Sequence, residues 1–301
     1  MLKYLSNLDK KFLQITRNEI KRHYLKNSGA IHNKRYGKEM SKTKTICFTN
    51  NKGGSGKSTA CANLAYELAQ AGKKVLLIDG DMQLNLSLSF FDEERVLDMA
   101  ECEDNLYYAI RGKKDLKDYI VSTPYENLDL VPSSTLMSQI EYELFTMMQR
   151  EYVLKKCLKG VYESEVYDYV LIDAPPTLGT WVINILCTAD YVIVPVEASP
   201  WGLFGLANMF DFLTGMNEMT EAKIMGVLIT KVDERKNYYK QTREILGSYE
   251  NIHVFESFIH VDSSIEWAQD ASVPVAVYKK STRSAKEFEG LAKEVMEYGS
   301  R

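Results

Sequence analysis

Residues 45–59 read Thr-Ile-Cys-Phe-Thr-Asn-Asn-Lys-Gly-Gly-Ser-Gly-Lys-Ser-Thr. The first six form an apolar, β-branched run that suits a buried strand. From Lys57 to Ala71 apolar residues recur at three- and four-residue steps, the spacing of a helix. A strand that runs into a glycine-rich turn and then a helix is the setting in which a phosphate-binding loop is credible.

Gly53, Gly54 and Gly56 allow the backbone to turn its N–H groups inward around phosphate oxygens, and the following helix directs its positive end at the same charge. Within that turn, Ser55 contributes backbone, Lys57 reaches the terminal phosphates, Ser58 offers a hydroxyl to Mg²⁺, and Thr59 stands near the α-phosphate. A polyphosphate with Mg²⁺ is the expected ligand. A turn that bound nothing would leave Lys52 and Lys57 crowded at a helix N-terminus, where the dipole disfavours cations. Position 51 departs from the general pattern, with Asn in place of Gly, and Lys52 follows it directly.

Outward from this loop, short β-branched runs alternate with longer helical patterns. That alternation builds a doubly wound α/β fold, a mostly parallel sheet with helices on both faces. The expected strands are Thr45–Asn50, Val75–Asp79, Leu128–Val131, Tyr169–Asp173, Tyr191–Val196, Ile224–Thr230, Val254–Phe258 and Val275–Val277, about eight in one sheet. The expected helices are Lys57–Ala71, Leu136–Leu158, Leu178–Leu186, Leu203–Leu213, Tyr238–Tyr249 and Ala285–Tyr298.

Two strand ends carry acids. Val75–Asp79 continues as Gly-Asp-Met-Gln, and Tyr169–Asp173 ends an apolar run just before Ala-Pro-Pro. Carboxylates at the C-terminal edge of parallel strands lie where such sheets bind ligands. Asp173 can hold a magnesium-bound water. Single strand-end aspartates often only cap helices, but Asp79, Asp81 and Asp173 occur in the order a nucleotide site requires.

Lys52–Thr59 resembles the deviant Walker A box of the ParA/MinD superfamily, Lys-Gly-Gly-x-Gly-Lys-[Ser/Thr]-[Ser/Thr]. The similarity runs from Lys44 to Tyr298, including Asn127–Pro132, Ile140–Leu144, Asp173–Gly179, Ala189–Val196 and Leu291–Val295, and is strongest at the nucleotide motifs. It implies that Lys52 reaches across a dimer to the partner's nucleotide, that Asp81 orients the attacking water, and that Asp79 supports magnesium. It also implies a slow ATPase that dimerises on MgATP, binds DNA without sequence preference, is reset by a ParB-like partner, and sits on the nucleoid in a plasmid or chromosome segregation system. Met82 stands where the family's Asp-x-Asp-Pro-Gln segment has proline.

Where the family often has Pro-Arg-Asn, this chain has Ile259-His260-Val261-Asp262-Ser263, without the basic residue. Lys231, Arg235, Lys236, Lys240, Arg243, Lys279, Lys280, Arg283 and Lys286 form a possible compensating patch for phosphate contacts. A MinD-like membrane-cycling ATPase would share the active site, but that group ends in a basic amphipathic helix, whereas Phe288, Leu291, Val295 and Met296 here run beside Glu287, Glu289, Glu294 and Glu297. An ATP-liganded DNA-binding regulator with little turnover is the other alternative. A nitrogenase-like reductase needs a cysteine soon after Asp173, and Ala174-Pro175-Pro176 supplies none.

The bulk composition sets the surroundings. The chain has 301 residues, 45% of them hydrophobic, and a net charge of −4. Residues 1–44 hold twelve Lys or Arg against three acids, a net +9, which leaves −13 for the remainder. That basic segment, 1–43, reads as an extension with Leu5, Leu8, Phe12 and Ile15 on one helical face of residues 1–26, followed by a polar linker. The ATPase domain is expected over 44–301. Met40 offers a second start a few residues ahead of the first strand. A basic head on an acidic body points to an anionic partner. Five dispersed cysteines without Cys-x-x-Cys spacing fit a reducing cytoplasm, and no run of about 18 apolar residues suggests a membrane span.

Overall fold

The computed structural model describes residues 43–112, 115–216, 218–247 and 252–298; the helix and linker expected before residue 43 lie outside the described residues. In chain order the elements are β1 (Lys44–Phe48), α1 (Lys57–Gln70), β2 (Val75–Asp79), α2 (Glu93–Glu101), α3 (Leu106–Gly112), β3 (Val121–Ser122) and β4 (Leu128–Val131). They continue with α4 (Ile140–Phe145), α5 (Val153–Cys157), α6 (Lys159–Ser164), β5 (Tyr169–Asp173), α7 (Thr180–Thr188), β6 (Tyr191–Glu197) and α8 (Pro200–Gly215). The last are β7 (Lys223–Thr230), α9 (Tyr238–Gly247), α10 (Ser263–Asp270), α11 (Val275–Lys279) and α12 (Arg283–Tyr298).

The strands form one seven-stranded sheet in the order β3-β4-β2-β5-β1-β6-β7. All pairs are parallel except β3 with β4. The chain builds outward from β1 in one direction through β2 and β4, then returns through β5 and crosses β1 to β6 and β7. The crevice beyond the carboxyl ends of β1 and its neighbours is where such a sheet receives ligands.

Alternation along each strand divides the core in two. Ile46 and Phe48 of β1, with Leu77 of β2, pack against Leu64 and Leu68 of α1 and Phe288 and Leu291 of α12. Cys47, Leu76 and Ile78 face the other layer, with Leu106, Leu154, Trp181 and Leu206. Burial on both faces explains why these strands read as continuous apolar runs rather than as alternating ones.

Two expected strands are corrected. Val275–Val277 is the start of α11, with Pro274 as its N-cap. Val254–Phe258 makes a single parallel bridge, Val254 to Val227, and does not extend the ladder. Its Glu256 and Ser257 N–H groups donate instead to the Glu294 carboxylate of α12, at 2.8 and 2.7 Å. The long helix expected over Leu136–Leu158 is broken into α4, α5 and short 3-10 turns, with Gln149 in the left-handed region at φ 53°. Strand β3 and helices α2, α3, α6 and α10 were not expected from the sequence.

Candidate functional site

β1 delivers the chain into a turn that is fixed at both ends. Asn50 donates from Nδ2 to the Pro195 carbonyl of β6 at 2.7 Å and accepts from the Lys52 N–H at 3.1 Å. On the far side, the Thr230 hydroxyl at the end of β7 donates to the Ser55 carbonyl at 2.8 Å. Gly54 and Gly56 stand at φ 70° and 88°, a region where a side chain is strained, and Gly56 is the residue from which α1 starts. The loop is therefore preformed, held between β6 and β7 on the C-terminal edge of the sheet.

Its three functional side chains differ in setting. Lys57 is almost fully buried, and its Nζ donates to the Lys52 carbonyl at 3.4 Å. Burial pulls its pKa down, while Asp173 and then Asp81 hold it up. Lys52 directs its ammonium to the Glu197 carboxylate, at the end of β6. Thr59 accepts from Gln269 Nε2 of α10 at 3.0 Å.

The carboxylates separate into two kinds. Asp173 is completely buried, and its oxygens have no close, well-aligned hydrogen-bond partner among the described residues, the Ser58 hydroxyl being at most a weak one. Burial, then the neighbouring Asp79, push its pKa well above the usual carboxylate range, against a smaller opposing pull from the nearby Ser58 and Lys57. Asp79 lies beside it in register on β2, but its oxygens are committed. Oδ2 accepts from the Ser87 N–H and hydroxyl at 2.9 and 2.7 Å, and Oδ1 from the Asp81 N–H at 3.3 Å. Burial raises its pKa to about 6 despite those bonds. Asp79 thereby anchors the turn that follows β2, beside the Asp173 carboxylate. Asp81 has one oxygen on the Gln83 N–H at 3.1 Å and lies on the wall of the cavity.

That cavity has a volume of about 540 Å³ and is bounded by Gly53–Ala60, Asp81, Pro176, Thr230 and Lys231. A further part of its wall, Ile259–Asp262 with Ile265, Glu266 and Gln269, escaped the sequence reading. His260 there is buried between two acids, Nδ1 at 2.5 Å from Glu287 Oε1 and Nε2 at 3.1 Å from Glu234 Oε1. The one sequence signal for this wall was the departure at 259–263 from the family pattern, and it was read for DNA contact rather than for the cavity.

The residues suit a polyphosphate and a magnesium ion. Buried oxygens without partners gather around the loop: Thr49 Oγ1, Asn51 Oδ1, Ser55 Oγ and both of Asp173. Such groups are costly unless something satisfies them. Among the described residues no cluster of three or more His, Cys, Asp or Glu is arranged to hold a metal by itself. Magnesium commonly takes one or two protein ligands and completes its shell with phosphates and water, and Ser58 with Asp173 fit that demand.

Of the basic residues considered for DNA, Arg235 and Lys236 pair with Asp233, and Arg243 pairs with Glu256. Lys240, Lys279, Lys280, Arg283 and Lys286 form no ion pair among the described residues. No helix among those residues is long and apolar enough to cross a membrane.

Comparison with known proteins agrees with this geometry. Residues 43–225 match a family model described as an AAA domain. The chain is 35% identical over 258 residues to the sporulation initiation inhibitor protein Soj of Bacillus subtilis, covering 85% of this chain and 99% of that protein. It is 33% identical over 257 residues to the chromosome-partitioning ATPase Soj of Treponema pallidum, covering 84% and 97%. Among solved structures, cobyrinic acid a,c-diamide synthase from Mycobacterium smegmatis, with bound ATP analogue and magnesium, shares the fold at a TM-score of 0.74 and 24% identity, covering 85% of this chain and 95% of that one.

A phosphate loop with a second lysine, set at the crevice of a mostly parallel sheet, defines a P-loop ATPase of the deviant Walker A kind. The chain belongs to the ParA/MinD superfamily and is of the Soj-type, chromosome-partitioning ATPase class.

Proposed function

We propose that this chain is a partition switch that binds MgATP at Lys52–Thr59, dimerises on it, and hydrolyses it slowly. Lys57 and the loop N–H groups hold the polyphosphate, and Ser58 and Asp173 hold the magnesium. Bound magnesium would neutralise charge on the phosphate oxygens. Asp81, on the cavity wall, orients a water for attack, and Asp79 fixes the Gly80–Ser87 turn that carries it. Positioning and charge stabilisation are sufficient for phosphoryl transfer at a low rate.

The observation that carries this reading is the fully buried carboxylate of Asp173, which has only the Ser58 hydroxyl and the buried Lys57 beside it to offset its charge. A buried acid with no partner is destabilising unless it has a ligand to hold. Family membership and the partly exposed ammonium of Lys52, paired with Glu197 beside the loop, support dimerisation through that lysine. In the ATP dimer the chain binds DNA without sequence preference and is reset by a ParB-like activator, which places it on the nucleoid.

Light scattering of the full chain with ADP and with a non-hydrolysed ATP analogue tests the switch. Wild type should double in mass only with the ATP analogue, and Lys52→Ala should remain monomeric with both. Dimerisation that survives Lys52→Ala would overturn the proposed role. Phosphate release with and without DNA and a partner extract separates a switch that turns over from a regulator that only binds ATP.

A further inference from the structure

A third lysine stands at the phosphate loop, from a part of the chain that no motif singles out. β7 ends at Thr230, pinned to the loop by its hydroxyl on Ser55. The next residue, Lys231, has φ 52°. For a residue with a Cβ this left-handed region costs roughly 1–2 kcal/mol, so the strain persists only where the surroundings impose it. Here they do: Val232 donates to the Ile259 carbonyl and accepts from the Val261 N–H, both at 3.0 Å.

Held in this way, Lys231 extends its side chain back over the loop. Its Nζ is 3.8 Å from where a Cβ on Gly54 would lie, and the residue lines the same cavity as Gly53–Ala60. The acids next to it in sequence are engaged elsewhere, Asp233 with Arg235 at 2.8 and 2.9 Å and Glu234 with His260, and Asp81, Asp262 and Glu266 on the same cavity wall form no ion pair with it. Lys231 itself forms no ion pair among the described residues. Lys52 has Glu197, and Lys57 has Asp173 and Asp81 close by. Lys231 is thus the cation at this loop without a carboxylate of its own, and an anion in the cavity would supply one.

We propose that Lys231 is a nucleotide-binding residue that contacts the polyphosphate in its own subunit. The assignment rests on the nucleotide reading above and adds to it a cation that acts without a second copy of the chain. Lys231 should therefore strengthen ADP and ATP alike, as uniform binding, and should leave dimerisation at saturating ATP unchanged. If Lys231 were only one cation of a DNA-contacting surface, its removal would leave nucleotide affinity in the absence of DNA as it was.

Calorimetric titration of the full chain with MgADP and with a non-hydrolysed ATP analogue, in the absence of DNA, tests this. Lys231→Ala and Lys231→Gly should each raise the Kd for both nucleotides by roughly tenfold or more, the weight of a charge-assisted contact. Lys231→Arg should recover most of the affinity. The glycine variant matters most because it relieves the φ strain while deleting the ammonium, so folding is protected. Were Lys231→Gly to bind MgADP within twofold of a wild type that binds it, the assignment would be overturned alone. A wild type that binds neither nucleotide would overturn the nucleotide reading and this assignment with it.

Discussion

The ammonium of Lys52 is ion-paired with the carboxylate of Glu197 in its own chain, both side chains about one-third exposed. The lysine proposed to reach a partner's nucleotide is thereby held at the end of β6, next to the start of α8, and this pair must open before the lysine can cross. A partly exposed pair contributes about 0.2–1 kcal/mol. Glu197→Gln should therefore lower the ATP concentration for half-maximal dimerisation by roughly two- to fivefold. Light scattering against nucleotide concentration measures this, and an unchanged or raised midpoint would show that Glu197 is no restraint.

Asp173 and Asp79 are register partners on adjacent parallel strands, and burial, together with the neighbouring Asp79, raises the cost of ionising Asp173. For Asp173, whose native pKa is raised, the stabilising contribution is full at acid pH and is lost as pH rises through the native value. Asp173→Asn removes that loss. At pH 8 the nucleotide-free variant should melt a few degrees higher than wild type, equivalent to about 1–3 kcal/mol, and the gap should close near pH 4. The same variant should lose the gain in ATP affinity that Mg²⁺ confers on wild type. Calorimetric melting and nucleotide titration with and without Mg²⁺ check both halves; a variant less stable at pH 8 would contradict the account.

The phosphate loop was legible in the sequence because its chemistry is local: glycines, two lysines and three hydroxyls within eight consecutive residues, between a strand and a helix. The partners that complete it were not. Glu197 lies 145 residues from Lys52, and its role depends on β6 lying beside β1, which spacing alone does not fix. The cavity wall at Ile259–Gln269 arrives through a segment that touches β7 at Phe255 and Ile259, whose N–H groups donate to Val227 and Ile229, while the Glu256 and Ser257 N–H groups between them are taken by Glu294. Val254 with Phe255 and Phe258 suggested a strand, and the Glu294 carboxylate on α12 interrupts its pairing with β7. Val275–Val277 misled for a similar reason. Pro274 precedes it, and the Val275 N–H donates to Asn63 of α1 at 2.8 Å, so the run starts a helix packed on α1 rather than an edge strand. The strain at Lys231 leaves no trace in sequence, since any residue there must adopt the φ that Thr230 and Val232 impose.

Ser87 holds Asp79 through both its N–H and its hydroxyl. Burial raises the Asp79 pKa to about 6, and the Ser87 bonds are the largest influence in the opposite direction. Losing the hydroxyl penalises the ionised carboxylate more than the neutral acid. Ser87→Ala should cost about 2 kcal/mol at pH 8, as a bond to a buried charged group does, and distinctly less at pH 5, where Asp79 is protonated. Because the variant raises the native pKa further, the gap to wild type should open as pH rises through about 6. Denaturant midpoints across that range measure it, and a pH-independent cost would mean that the hydroxyl serves packing alone.

Glu67 offers the same test away from the nucleotide. It lies half-buried on α1 in a groove against α12, and burial, followed by Glu289, raises its pKa to about 7, against weaker opposing pulls from Lys280 and Lys293. A raised native value means that Glu67 favours the folded state most at acid pH and loses that contribution as pH climbs through about 7. Glu67→Gln should match wild type near pH 4 and exceed it at pH 8. Discounted for the side chain's solvent exposure, the gain is about 1 kcal/mol or less, a rise of roughly 2 °C or less in Tm for a chain of this size. Nucleotide affinity should be unaffected, since Glu67 does not line the phosphate cavity. A gain equally large at pH 4 would place the effect in side-chain packing and not in the buried charge.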